Sequence, residues 1–238
     1  VLSLEKMCEI IEIDIENRIA IVQPGVINKI LQDELEKLNF FWGPDPSSQD
    51  YSTIGGNIAN NSAGPRAIKY GTPRDNILGI EFVSGTGQIF NTGVKTSKGV
   101  VGLDLTRLFP GSEGILGKLT EATLKILPLN NSVKTIEVTF NNFEDASQTI
   151  TSLMTQPLTP YKLEFIDEES IKLINTIKKR HYDESTKSAV LLEIDGEDEY
   201  IDLMLNKILK IIKKNKYNKV TVANDKTEVE KLWAARKS

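Results

Sequence analysis

Residues 52–64 read STIGGNIANNSAG. Three glycines and three asparagines stand here among small residues, and Ile54 and Ile58 are the only bulk. Glycine lets backbone N–H groups approach a ligand closely and point together, so a loop of this composition can cradle a pyrophosphate without charged side chains. Gly55, Gly56 and Asn57, then Asn60, Asn61 and Gly64, would supply main-chain donors and side-chain amides to a polar ligand. The other reading is an elaborate turn, because glycine and asparagine also tolerate positive φ. The stretch matches neither GxxxxGK[ST] nor a GxGxxG set between a strand and a helix with an acid downstream, so a nucleotide site here is of another kind.

Upstream, RIAIVQ (18–23) alternates like a half-buried strand and stops at Pro24-Gly25. Ile27, Ile30, Leu31, Leu35 and Leu38 then recur at helical spacing, and WGPDPSS is a proline-stiffened loop leading into the glycine-rich stretch. Downstream, LGIEFVS and QIFNTG flank Gly85-Thr86-Gly87 as the arms of a hairpin. RLFPGSEGILG (107–117) is a second glycine-rich element, followed by the alternating strand EATLKIL. Pro128 and LNNS mark a boundary, which divides the chain into 1–129 and 130–238.

Beyond Lys134 strands and one-faced helices alternate: KTIEVTF, NFEDASQTITSLM, YKLEFI, DEESIKLINTIKK, AVLLEI, DEYIDLMLNKILKIIKK and KVTV. In the first helix Phe143, Ala146, Ile150 and Leu153 share a face. The expected fold is therefore α+β, with a ferredoxin-like layer of sheet covered by helices on one side in the second half.

Composition excludes several classes. The formal charge is −4 and both signs are mixed along the chain, which does not suit a nucleic-acid surface. Lys207, Lys210, Lys213, Lys214 and Lys216 cluster on an amphipathic helix and read as its solvated face. Cys8 and His181 are the only residues of their kinds, so one chain builds neither an internal disulfide nor a histidine-pair metal site. His181 itself, in KKRHYDES, reads as a solvated loop residue, so no metal ligand and no catalytic residue is assigned. No apolar run is long enough to span a bilayer. The expected location is cytoplasmic, or peripheral at the inner face of the membrane.

Two long motifs in order, WGPDPSSQDYSTIGGNIANNSAGPRAIKYGTPRDNILGIEFVSGTGQIFNTG and LDLTRLFPGSEGILGKLTEATLKILP, resemble the FAD-linked oxidases of the vanillyl-alcohol-oxidase type. Within that family the likeness is to the glycolate oxidase flavin subunit and its D-lactate and D-2-hydroxyglutarate dehydrogenase relatives. The resemblance implies a partial FAD-binding domain over 1–129, of mixed or antiparallel sheet with helices, and a partial α+β cap or substrate domain over 130–238. It implies FAD as cofactor and oxidation of a small D-2-hydroxy acid by hydride transfer to the flavin, with an iron–sulfur partner subunit.

Carried over by motif, Pro44, Ser52, Thr53, Gly55, Gly56, Asn57, Asn61, Gly64 and Gly71 would lie at or near the flavin, joined by Glu113, Gly114 and Gly117 of the second motif. Bared amides around Gly55 and Gly56 would form one wall of the cleft. LWAARKS resembles the family's WxxR segment, which makes Arg236 the candidate for the substrate carboxylate. Departures are Ala63, where a paired glycine is usual, and Lys118, where isoleucine is usual. Neither the PRGxGT-like loop nor the HxGDGNxH-like segment of the family is present. The chain is thus expected to be a middle fragment, inactive alone and binding FAD weakly or not at all. The alternatives are a non-catalytic subunit-docking module and an NADPH-using flavin reductase of the same fold.

Overall fold

The computed structural model describes residues 2–96, 98–177 and 182–234. Its contacts divide into two units, Val1–Leu129 and Asn130–Ser238.

In the first unit β1 (Ile10–Asp14), β2 (Ile19–Val22), β3 (Phe40–Trp42), β4 (Ile77–Val83), β5 (Ile89–Gly93) and β6 (Lys118–Pro128) form one sheet. Its order is β1-β2-β6-β4-β5, β3 also pairs with β6, and every pairing is antiparallel. Strand β6 is the spine because its alternation is unbroken: Ala122, Leu124 and Ile126 are all fully buried. The hairpin forms as expected, with Gly87 in the left-handed region at φ 81°.

Helix α1 (Asn28–Glu36) lays Leu31 and Leu35 into the core beside Trp42. Ile30 and Leu38, which belong to the same apolar stripe in the sequence, are exposed: Ile30 sits about 100° to the side of Leu31, and Leu38 lies beyond the helix's C-cap at Lys37. Two short helices follow, α2 (Ile54–Asn60) and α3 (Ala67–Tyr70).

The second unit contains α4 (Phe143–Met154), α5 (Glu168–Thr176), α6 (Ile201–Ile212) and α7 (Lys226–Ala234), with β7 (Ser132–Phe140), β8 (Lys162–Ile166), β9 (Ser188–Gly196) and β10 (Lys219–Val222). The sheet order β10-β7-β9-β8, all antiparallel, is the ferredoxin-like arrangement. Period-two alternation sends Ile136, Val138 and Phe140 of β7 and Val190, Leu192 and Ile194 of β9 to the face covered by α4 and α6.

The opposite face is also covered. Ile171 and Ile174 of α5 pack with Ile166 and Ala189, and Leu232 of α7 packs with Leu191 and Ala223. Helices therefore lie on both sides of the sheet rather than one. Phe143 is a second departure: it is 59% exposed at the start of α4, edge-on to Phe165, while Ala146 and Leu153 are buried as expected. No helix among the described residues is long and apolar enough to cross a membrane.

Candidate cofactor-binding site

The glycine-rich stretch folds as a helix with a cap at each end. Thr53 is extended and its hydroxyl accepts the Gly56 amide at 3.1 Å, which starts α2. Ile54 and Ile58, four residues apart and both buried, face the core and explain why the stretch carries just two bulky residues. Asn61 ends the helix in the left-handed conformation at φ 50°, and the Ser62 amide returns to the Asn57 carbonyl at 2.8 Å.

This geometry corrects one expectation. The Gly55 amide donates to the Pro24 carbonyl at 2.8 Å, the Ile54 amide to Val26 at 2.8 Å, and that of Gly56 to Thr53. These donors secure the helix start instead of standing bare, because a helix leaves its first amides unpaired and this one draws partners from the neighbouring turn.

The glycines then separate by cause. A Cβ at Gly55 would lie 2.5 Å from the Pro24 Cβ, and one at Gly64 would lie 2.0 Å from the Asp45 carbonyl oxygen. At Gly117 a Cβ would meet the Phe82 ring at 2.7 Å, and Gly71 takes a φ of 78° in the turn closed by Thr72 and Asp75. These four are dictated by packing or turn geometry. Gly56 is different: within 4 Å its Cβ would meet the Thr53 hydroxyl alone, at 3.2 Å, so its outer face is open.

The second motif docks on the first. The Gly111 amide donates to the Ile58 carbonyl at 3.0 Å and the Glu113 amide to Ala59 at 2.9 Å, capping carbonyls at the end of α2. Glu113 and Gly114 both hold positive φ, 52° and 75°, which turns the chain back. Arg74 ties the pair from outside: its amide donates to the Asn61 side chain at 3.0 Å and its guanidinium to the Pro110 carbonyl at 2.7 Å. Beside it, the Thr72 backbone N–H holds the Asp75 carboxyl below its ordinary range, against a smaller opposing effect of burial.

Three buried polar atoms around this helix have no hydrogen-bond partner among the described residues: Asn28 Oδ1, Ser52 Oγ and Asn57 Nδ2. Native interiors pair such groups, so an unpaired set in one region points to a ligand or water. Asn28 links the surroundings, its amide donating to the Ser52 carbonyl at 2.9 Å and its side chain reaching the Pro44 carbonyl at 3.5 Å. It is absent from the motif-derived set, yet its position was a signal: a polar residue in line with Leu31 and Leu35 on the buried side of α1. Asp45 was missed too, and it anchors the segment after Gly64 by accepting the Arg66 amide at 3.0 Å.

Two family models match the chain: an FAD binding domain over residues 1–93 and the C-terminal domain of FAD linked oxidases over 129–238. The chain belongs to the FAD-linked oxidase family. Over its whole length it is 42% identical to the glycolate oxidase subunit GlcD of Bacillus subtilis, covering 51% of that protein. It is 38% identical over 73% of its length to a D-lactate dehydrogenase of Archaeoglobus fulgidus, covering 38% of that protein. The chain thus spans about half or less of the length of these curated relatives. Among solved structures, alkyldihydroxyacetonephosphate synthase matches 95% of this chain and 46% of its own at a TM-score of 0.77 and 24% identity. p-Cresol methylhydroxylase matches 98% and 50% at a TM-score of 0.77 and 17% identity, and both share the fold.

For this member of the FAD-linked oxidases the site is thus a capped helix with one open glycine and a second turn clamped to it. Arg236 and His181 lie outside the described residues.

Proposed function

We propose that this chain supplies one wall of an FAD cleft and a cap domain to a longer oxidoreductase that oxidises a D-2-hydroxy acid of the glycolate or D-lactate type. The observation that carries the reading is the gathering, around the capped helix α2, of Gly56's open face, the unpaired Asn57 amide within the helix, Ser52 just before it and Asn28 at the start of α1. Those residues fit a flavin nucleotide: a close backbone approach, an amide donor, a hydroxyl and a carbonyl acceptor, none of them charged.

When bound, FAD supplies the hydride acceptor for the substrate's α-carbon. The residues of this chain position and shield. Gly56 would admit the cofactor at its open face, and Asn57, Ser52 and Asn28 would hold it with an amide donor, a hydroxyl and a carbonyl acceptor. The Glu113–Gly114 turn keeps α2 from fraying. Pro44, Thr53, Gly55, Asn61, Gly64, Gly71 and Gly117 act through the backbone shape they impose. Arg236 is assigned to the substrate carboxylate on the WxxR resemblance.

The similarity to proteins named as subunits of glycolate oxidase supports a partner subunit. That this partner carries an iron–sulfur cluster, and that the assembly sits in the cytoplasm or at the inner face of the membrane, are part of the same proposal and rest on family resemblance.

The test is anaerobic addition of glycolate or D-lactate to the purified full-length protein. Bleaching of bound flavin by either acid is expected, and a flavin that neither acid reduces refutes the substrate class. Mixing the 238-residue chain alone with FAD should leave the flavin's fluorescence almost unchanged.

A further inference from the structure

The outer face of α6 and the turn after it form a basic surface on the second unit. Ile201, Ile208 and Ile212 are buried along one line of the helix, while Leu203, Lys207 and Lys210 lie exposed along the opposite line. Lys213, Lys214 and Lys216 follow in the turn and Lys219 opens β10, all exposed. Between Asp202 and Asp225 the chain holds these six lysines and neither an acidic residue nor an arginine.

Their surroundings supply no opposite charge. The Ser152 hydroxyl meets the Asn215 side chain at 3.4 Å, which sets the end of α6 against the end of α4, and residues 146–163 contain no acid. Lys219 stands opposite Thr139 of β7. Asp202, in the first turn of α6, is taken by Lys134 at 3.1 Å. Among the described residues none of the six lysines is in an ion pair.

The negative end of a helix dipole favours cations in the last turn, which accounts for Lys210, Lys213 and Lys214. It does not account for Lys207, a turn earlier, or for Lys216 and Lys219 beyond. From Lys207 to Lys214 the helical rise is about 10 Å, close to the screening length of about 8 Å at physiological salt, so these charges act as one positive field. That field stands on a chain whose formal charge is −4.

The residue types choose among negative partners. Arginine, with its planar fork, suits fixed carboxylate and phosphate geometries, and lysine is depleted from protein interfaces. Six lysines are mobile point charges on long apolar stems, which suit a smooth negative surface that demands no fixed geometry. Leu203, 54% exposed, and Tyr217, 37% exposed, stand among them as side chains able to enter a headgroup layer.

We infer that this surface docks the protein on a membrane of anionic phospholipid, with the lysines against the headgroup phosphates. Such docking gives the peripheral location proposed above its contact surface; it rests on that location and not on the flavin chemistry.

The test is co-sedimentation of the purified full-length protein with vesicles of phosphatidylcholine alone, or with roughly a third phosphatidylglycerol, at about 0.1 M salt. Binding to the anionic vesicles alone is expected, with release at about 0.5 M salt. A lysine near a membrane surface is worth about fivefold in binding, so Lys207→Gln/Lys210→Gln/Lys214→Gln should bind about a hundredfold more weakly. Glutamine matches lysine as a helix former, so this variant should fold. The same charge removed elsewhere, in Lys6→Gln/Lys37→Gln/Lys95→Gln, should leave binding nearly intact.

Wild-type vesicle binding in the first variant, an equal loss in the second, or a wild-type protein that binds both vesicles alike overturns the inference. So does a first variant that loses a partner subunit while the wild type ignores vesicles, which assigns the surface to a protein instead. Flavin bleaching by glycolate or D-lactate in solution should be the same in both variants and the wild type. A protein that docks on anionic vesicles but whose flavin neither acid reduces refutes the substrate class and supports the docking.

Discussion

The amide of Glu113 donates to the carbonyl of Ala59 at 2.9 Å, and this bond makes the second glycine-rich turn the cap of the first. Glu113 holds a φ of 52° to make it, a left-handed conformation that costs a residue with a side chain about 1 kcal/mol or more. Glu113→Gly is therefore expected to raise stability by about that amount. Glu113→Pro, which has no N–H and cannot adopt positive φ, is expected to lower it by about 3 kcal/mol. Urea unfolding followed by the fluorescence of the fully buried Trp42 reads both changes; equal midpoints for the two variants would disprove the capping role.

The neighbouring glycines of α2 should respond in opposite directions. A methyl at Gly55 meets Pro24 backbone and ring within 2.5–3.1 Å, so Gly55→Ala is expected to cost about 1–3 kcal/mol. A methyl at Gly56 meets open space apart from the Thr53 hydroxyl at 3.2 Å, and alanine is the better helix former by about 0.5–1 kcal/mol. Gly56→Ala should thus leave the melting temperature of the chain unchanged or raise it. Thermal unfolding of the two variants side by side checks this, and a shared loss of several degrees would contradict it.

Much of this was legible before the fold was known, and the failures have identifiable causes. Strands β4 to β6 and the ferredoxin-like order follow from period-two alternation and turn residues, signals that survive packing. The helix at 54–60 was hidden because Gly-Gly-Asn is a poor helix former, and its clues were the Thr53 cap and the four-residue spacing of Ile54 and Ile58. Composition marked the glycines but not their causes, since Gly55 answers to Pro24 and Gly64 to Asp45, contacts between separate segments. Helix α7 was missed for a similar reason: its burial rests on Leu232, and its orientation on a carboxylate in a strand far away in sequence.

Polar groups of the site should prove dispensable for folding. Ser52 Oγ is buried without a partner, so Ser52→Ala is expected to be neutral or to stabilise the chain by about 1 kcal/mol. Thr53→Ala, which removes a hydroxyl that does accept a bond, should cost about 1 kcal/mol, and Thr53→Ser should restore most of it. A loss of stability in Ser52→Ala equal to that in Thr53→Ala would mean that Ser52 serves the fold and not a ligand.

Acid should weaken the second unit in part through Glu193. Burial opposes ionisation of this carboxyl, but the charge and hydrogen bond of Lys162 together with the bonds from Thr135 and Trp233 outweigh it, and the pKa lies below the ordinary value. A group with a lowered folded pKa contributes its stability in full above the unfolded value, about pH 4.3 for glutamate, and loses it as pH falls through the folded one. Between pH 7 and pH 3 the wild-type chain should therefore lose more stability than Glu193→Gln. Denaturant midpoints across that range measure it, and parallel curves would remove Glu193 from the acid response.

The most direct measurement on the central claim is the flavin content of purified full-length protein with leucine at position 56. The wild type should carry FAD stoichiometrically by absorbance. Gly56→Leu should be folded by circular dichroism and nearly colourless, because its side chain would fill the open face proposed to take the cofactor. A folded Gly56→Leu protein that retains the wild-type complement of FAD would contradict the account.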